Sequence, residues 1–407
     1  MRLNGWRGWW SQRSRFERIA VFLWSLPIVV CTGRALIWPD RHSVYPIFSE
    51  AGRAWRASGD LYHAGASEPF RYSPLVAALF APLSRLPDHL GGVLWRLLGL
   101  GIYLGAFIWW TRRISNGPLV PAHRALLLVL ILPLSVGALN NGQSNLLLIG
   151  LLMAACSAAM TGRWTLSCAC FALAFLFKVY PLAIGLLLLL IYPRRYWWRL
   201  PAAIAVGLVL PFVMQDPSYV ADQYAGWLDH LQDNDRQLLE PTQWYRDFRL
   251  LWSLWITPMD YHVYQFIEIV AGVVVAAMCL LRLRFRGPDH RVHVLLFSLG
   301  CCWMTVFGPA TESVTYVFLA PAAAWAVLRV VRERPPSIGG FLIFAGYGLL
   351  FLCQVVDWLP FGRMVHSLGP QPVAGLLLGA GFITIEWTST MAPAQRALIL
   401  ARDVQAA

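Results

Sequence analysis

Short arginine-rich segments recur along this chain between long apolar stretches, an alternation that a bundle of membrane-spanning helices satisfies. The segments are 1–18, 111–124 (Arg112, Arg113, Arg124), 161–164 (Arg163), 193–199 (Arg194, Arg195, Arg199), 282–291 (Arg282, Arg284, Arg286, Arg291) and 329–337 (Arg329, Arg332, Arg334). Basic residues in short loops stay on the cytoplasmic side, so an even number of crossings must separate each consecutive pair. Spans at 19–37 and 90–110 already satisfy the first interval. The apolar piece from Ser73 to Leu83 is therefore re-entrant or interfacial, being too short to cross. Both ends of the apolar run 164–193 are arginine-marked, which requires a hairpin of two short helices, each ~20 Å long at 1.5 Å per residue. The remaining spans are 123–139, 143–160, 198–214, 262–282, 292–308, 313–330, 339–356 and 371–389. The expectation is a single all-α domain over 1–407 with about 12 transmembrane helices. Residues 1–18 and a tail at 390–407 are cytoplasmic in this reading.

Composition agrees with that class. The chain is 58% hydrophobic and 13% charged, with 20 Trp, and its mean hydropathy is +0.55, as in polytopic membrane proteins. The formal charge of +12 comes from the loops, so it reports topology and excludes a nucleic-acid footprint. All eight cysteines lie in apolar stretches, which argues against a disulfide framework or a zinc cluster. Arg2, Arg7, Arg13, Arg15 and Arg18 precede the first apolar stretch without a convincing small-residue cleavage site, so that stretch is read as an uncleaved span.

Every polar cluster with chemical potential then falls on the external face. Lys178 is the chain's only lysine and sits at the hairpin turn between two apolar runs. A charge at membrane depth needs a partner or a ligand to offset its cost, so Lys178 is read as a site residue; a lysine snorkelling from a helix end is the alternative. The 38–73 loop carries Asp40, Glu50 and Asp60, any of which can act as a general base on a sugar hydroxyl or serve as a cap or solvated charge. Arg71 and Tyr72 follow, with Arg71 read either as a phosphate clamp or as an interfacial anchor beside Tyr72. The turn from Asn140 to Asn145, with Asn141 and Gln143, offers amides to sugar hydroxyls, and its Asn-Gly pair is also a plain turn signal. The external 215–261 segment interleaves Asp222, Asp229, Asp233, Asp235, Glu240 and Asp247 with aromatic residues, a pattern suited to carbohydrate or to the bilayer surface. Glu312 opens a late span on the same face, where a carboxylate also favours a helix N-terminus.

Taken in order, these motifs resemble glycosyltransferase family 87. The resemblance rests on Glu50-Ala-Gly-Arg-Ala-Trp55, Gly59-Asp-Leu-Tyr62, the run from Phe70 to Phe80, Asn141-Gly-Gln-Ser-Asn145 and Phe177-Lys-Val-Tyr-Pro181. It implies a GT-C-like bundle in the plasma (inner) membrane that moves a hexose such as mannose from a polyprenyl-phosphate donor to an external lipid or glycan acceptor. By position it implies Asp40 as base, with Glu50 as the alternative, and Lys178, Arg71 and Tyr180 at the donor phosphate. Asn141, Gln143, Asn145, Tyr72 and Glu312 would then line the sugar and acceptor side, and Glu312 stands where the family leads one to expect histidine. A lipid monophosphate leaving group demands no metal and no other cofactor, and direct displacement inverts the anomeric centre. A transporter or flippase of lipid-linked sugars, or an external polysaccharide ligase or polymerase, are the competing readings. Clustering of the unusual residues at one surface, with no internal repeat, favours the enzyme.

Overall fold

The computed structural model describes residues 13–62, 70–115, 117–232, 243–287, 289–333, 337–357 and 359–405, with side chains in the last helix to Trp387. Asp233, Asp235, Glu240 and Arg334 lie outside the described residues. All the described regular structure is helical. Among the described residues, eight helical stretches are long and apolar enough to cross a membrane, and three shorter apolar helices accompany them. The chain is a multi-pass membrane protein.

The first helix, α1 (Arg15–Ile37), is opened by a capping box between Ser14 and Glu17. A short amphipathic helix, α2 (Tyr45–Arg56), and a buried one, α3 (Pro74–Phe80), precede the 27-residue α4 (Asp88–Ile114). Thus the piece expected to be re-entrant or interfacial is a seven-residue helix inside the bundle. Gly52 makes that packing possible, because a Cβ there would lie 2.8 Å from the Phe80 carbonyl. Next come α5 (Pro121–Asn141), begun by proline at its first position, and α6 (Asn145–Met160), which is buried nearly all round.

The hairpin follows as α7 (Trp164–Phe177) and α8 (Leu182–Ile191). Trp164 and Tyr192 meet with ring centroids 5.1 Å apart, and Ser167 Oγ lies 2.6 Å from Tyr196 Oη. The two arms therefore start and finish at one level, with Lys178 at the tip. At 1.5 Å per residue they rise only ~21 and ~15 Å, less than the ~30 Å hydrocarbon core, so the tip is recessed within the bundle.

The chain continues through α9 (Arg199–Val209), α10 (Pro217–Gln232), α11 (Phe248–Trp255) and α12 (Tyr261–Arg286). It ends in α13 (His290–Cys302), α14 (Ala320–Glu333), α15 (Ile338–Val356) and α16 (Pro370–Gln405). Residues 390–405, expected as a tail, continue α16 as helix. The apolar faces of α1 and α12 stay exposed, at Phe22, Leu26, Val29, Phe266, Ile269 and Val273 among others. A helix apolar on its exposed face is one that lipid covers.

Contacts sort the loops into two ends. At the arginine end, Glu17 pairs with Arg13 and Arg124, and Glu386 bridges Arg282 and Arg329. At the opposite, polar end, Val44 N–H donates to Asn141 O, Arg53 pairs with Asp88, and Arg246 N–H donates to Thr311 O.

Candidate active site

At the polar end a chain of three hydrogen bonds joins the lone lysine to a carboxylate. Lys178 Nζ donates to Asn145 Oδ1 at 3.0 Å, Asn145 Nδ2 to Gln143 Oε1 at 2.7 Å, and Gln143 Nε2 to Glu312 Oε2 at 2.7 Å. The direction is forced by chemistry. An ammonium only donates and a carboxylate only accepts, so both amides are held in one orientation. Asn145 is fully buried, whereas Lys178, Gln143 and Glu312 are partly open.

Local backbone chemistry puts these groups there. Gly142 takes a left-handed conformation, φ 66°, to end α5, and α6 starts at Asn145. Arg96, buried on α4, fastens this turn. Its Nε donates to Leu139 O at 3.1 Å, while its Nη2 donates to Asn140 O at 2.9 Å and to Ser43 Oγ at 3.0 Å. Trp95 Nε1 adds a bond to Gly142 O at 2.7 Å. Sequence reasoning missed Arg96, although a guanidinium inside the expected 90–110 span carries the same signal as Lys178. Trp95 lies seven residues into α4, so the turn sits ~10 Å below that helix's start.

The hairpin tip is shaped by proline. Pro181 has no N–H to donate, α7 ends at Phe177, and Lys178 is extended with φ −148° and ψ 139°. The Leu176 carbonyl, freed by the break, accepts from Ser73 Oγ at 2.6 Å, which ties the tip to α3. Lys178 Nζ stands 5.8 Å from the centre of the Tyr180 ring. Tyr180 Oη is buried without a hydrogen-bond partner among the described residues. Tyr72 packs on Phe48, Phe70 and Phe177, and Glu312 acts electrostatically on Lys178, Tyr72 and Tyr180 alike.

The other sequence-predicted residues lie around this cluster. Arg71 is exposed and donates from Nη1 to Tyr245 Oη at 3.2 Å, a partner that no local signal announced. Asn141 contributes its carbonyl to Val44 N–H at 2.9 Å. Asp40 is exposed in the turn after α1, four residues before Val44. Glu50 is exposed on α2, across the helix from the buried stripe of Tyr45, Phe48, Gly52 and Trp55. Asp60 Oδ1 accepts from Tyr62 N–H at 2.8 Å, an ordinary turn contact. In the 215–261 segment, Asp247 caps α11 by accepting from Leu250 N–H at 3.0 Å. Burial pushes its carboxyl up to about 6, against the lowering pull of that bond and of Arg249.

Residues 70–309, more than half of the chain, match glycosyltransferase family 87. A curated relative from Mycobacterium tuberculosis, a polyprenol-phosphate-mannose-dependent alpha-(1-2)-phosphatidylinositol pentamannoside mannosyltransferase, is 26% identical over 296 residues. That match covers 72% of this chain and 65% of the relative, slightly under two thirds of its length. The crystal structure of ArnT from Cupriavidus metallidurans bound to undecaprenyl phosphate is similar with a TM-score of 0.40 at 16% identity, covering 94% of this chain and 76% of that one. The chain belongs to glycosyltransferase family 87.

Proposed function

We propose that this protein transfers a hexosyl group, mannose being the first candidate, from a polyprenyl-phosphate donor to a lipid or glycan acceptor at the outer face of the plasma membrane. The single observation that carries the reading is the aimed ammonium: Lys178 held by Asn145 at a recessed hairpin tip, at the end of the bundle opposite the arginines. The M. tuberculosis relative's name supports the donor class and the sugar. The arginine concentration at the other end supports an external site and cytoplasmic termini.

The chemistry follows from charge. As the acceptor oxygen attacks the anomeric carbon, the bond from that carbon to the phosphate oxygen breaks, and the departing lipid phosphate gains negative charge. Lys178 meets that charge, with Arg71 and the Tyr180 hydroxyl, which has no partner among the described residues, as further donors. Asn145 is buried, so its part is to aim the ammonium, while Gln143, Asn141, Tyr72 and Glu312 present polar atoms toward the sugar and acceptor. Asp40 takes the acceptor's proton; it lies on the chain that Val44 and Ser43 tie to the polar turn, whereas Glu50 faces the other way. One displacement inverts the anomeric centre, so a β-linked donor gives an α product.

The test is incubation of the purified protein in nanodiscs with a panel of labelled polyprenyl-phosphate sugars, with products identified by mass spectrometry and their anomeric configuration by NMR. Transfer of a hexose with inversion is expected. Transport of a lipid-linked sugar across vesicles without any new glycosidic bond would overturn the reading. Asp40→Asn should abolish transfer and Glu50→Gln should spare it; the reverse pattern moves the base to Glu50.

A further inference from the structure

We infer that the N-terminus of α6 and the hydroxyl of Ser144 complete an anion site beside Lys178, which binds the donor's phosphate and holds the released lipid phosphate more tightly still. The identity of that phosphate rests on the proposed transfer reaction. A serine before a helix ordinarily takes extended backbone and turns its oxygen back to the second or third amide. Ser144 does neither. Its backbone is helical, φ −66° and ψ −7°, and it makes no cap bond. The first bond of α6 runs from Leu148 N–H to Ser144 O at 2.9 Å, and among the described residues the N–H groups of Asn145, Leu146 and Leu147 meet no acceptor. Uncapped amides at the start of this 16-residue helix, aligned with its dipole, favour an anion.

Two buried hydroxyls meet at the same place. Ser144 is fully buried and Tyr180 is 8% exposed, and neither Ser144 Oγ nor Tyr180 Oη has an aligned hydrogen-bond partner among the described residues. The Tyr72 phenol lies near both. Asn145, the first residue of α6, holds Lys178 Nζ at 3.0 Å from its own side chain, so the ammonium stands at this helix end. The Tyr180 ring centre is 5.8 Å from that ammonium. Glu312, the acid of the cluster, accepts from Gln143 Nε2 at 2.7 Å and stands two amides along the relay from Lys178. Lys178, Gln143 and Tyr72 are partly open, so the cluster is reached from the polar end. A phosphate there meets one cation, a helix start and two hydroxyls, and a lipid phosphate and free phosphate share the chemistry these groups recognise. The donor phosphodiester is a monoanion and the released monophosphate nearly a dianion at neutral pH. Charge therefore grows where the positive helix end already points.

The experiment uses the full chain in phosphatidylcholine nanodiscs loaded with undecaprenyl phosphate or uncharged undecaprenol, with retained lipid counted by native mass spectrometry. Wild type should retain the phosphate over the alcohol. Ser144→Ala should weaken that retention about tenfold or more, the loss of one hydrogen bond to a charged group. Its Tm should stay at the wild-type value, because Ser144 Oγ makes no aligned bond among the described residues. Ser157→Ala, which removes a buried α6 hydroxyl bonded to Met153 O at 2.7 Å, should leave retention unchanged. Should Ser144→Ala fail to fold, Ser144→Cys, with its weak S–H donor, should still retain less than wild type. A second arm competes the bound lipid with inorganic phosphate. Displacement assigns the phosphate group alone as ligand, and its absence with retention intact assigns the lipid-held phosphate. Retention is read without turnover, so a wild type that forms no glycosidic bond sinks the transferase reading while the anion site is still decided. Equal retention by wild type and both Ser144 variants, or equal loss in Ser157→Ala, overturns the inference.

Discussion

Breaking the relay at Asn145 should reveal how strongly the lone lysine depends on it. Asn145→Leu keeps the branched shape and heavy-atom count of a fully buried side chain but removes two bonds, the 3.0 Å bond from Lys178 and the 2.7 Å bond to Gln143. A hydrogen bond to a charged group contributes about 1.5–3 kcal/mol and a neutral one about 1, so this change should cost about 2.5–4 kcal/mol. Lys178→Met removes only the first bond and should cost about 1.5–3 kcal/mol, less whatever the relieved ammonium returns. Because both changes delete the same Lys178–Asn145 bond, the double variant should be less destabilised than the sum, by a coupling energy of about 1.5–3 kcal/mol. The assay is unfolding by SDS titration of the four proteins in mixed micelles, followed by tryptophan fluorescence. Additivity within about 0.5 kcal/mol would refute the claim that the amide positions the ammonium.

Gly142→Ala should destabilise the protein by roughly 1–3 kcal/mol and slow transfer, since φ 66° is strained for alanine and its Cβ would lie 2.9 Å from Arg96 Cζ; a Tm equal to wild type would count against the clamp. Tyr180→Phe should leave Tm unchanged, because its buried hydroxyl has no partner among the described residues, yet lower kcat/KM about tenfold through the lost donor to phosphate; unaltered kinetics would remove Tyr180 from the site. Asp247 supplies a pH test. Its folded carboxyl titrates near 6 against 3.8 for the free side chain, so the folded state holds the proton more tightly and stability falls as pH rises through that window, by at most about 3 kcal/mol. Asp247→Asn keeps the cap and should raise Tm at pH 7 while flattening its slope between pH 4 and 6; an undiminished slope would assign it to another group.

Arginine spacing made the path of the chain legible. The parity argument requires two helices within 164–193, and α7 and α8 occupy that stretch with Trp164 and Tyr192 face to face at their common end. The same argument keeps the Ser73–Leu83 piece from crossing, and α3 is a seven-residue buried helix. Lys178, Asn145, Gln143 and Glu312 stood out because polar groups in apolar surroundings are costly, and that cost is what draws them into one bonded chain. Contacts between distant segments left no such trace. Ser73 reaching the Leu176 carbonyl, and Arg71 reaching Tyr245, depend on how helices stack, which residue type alone does not encode. Arg96 was visible in principle, as a charge inside an apolar span. The orientation of Glu50 emerges only once the buried stripe of α2 is known, because its neighbours place it on the far side of a 3.6-residue turn.

The central claim is that Lys178 stabilises a departing lipid phosphate, and steady-state transfer from a labelled polyprenyl-phosphate hexose by folded Lys178→Ala protein tests it most directly. Loss of one charged donor to the leaving group should lower kcat about 10²–10³-fold with little change in KM. A kcat equal to wild type would contradict the account.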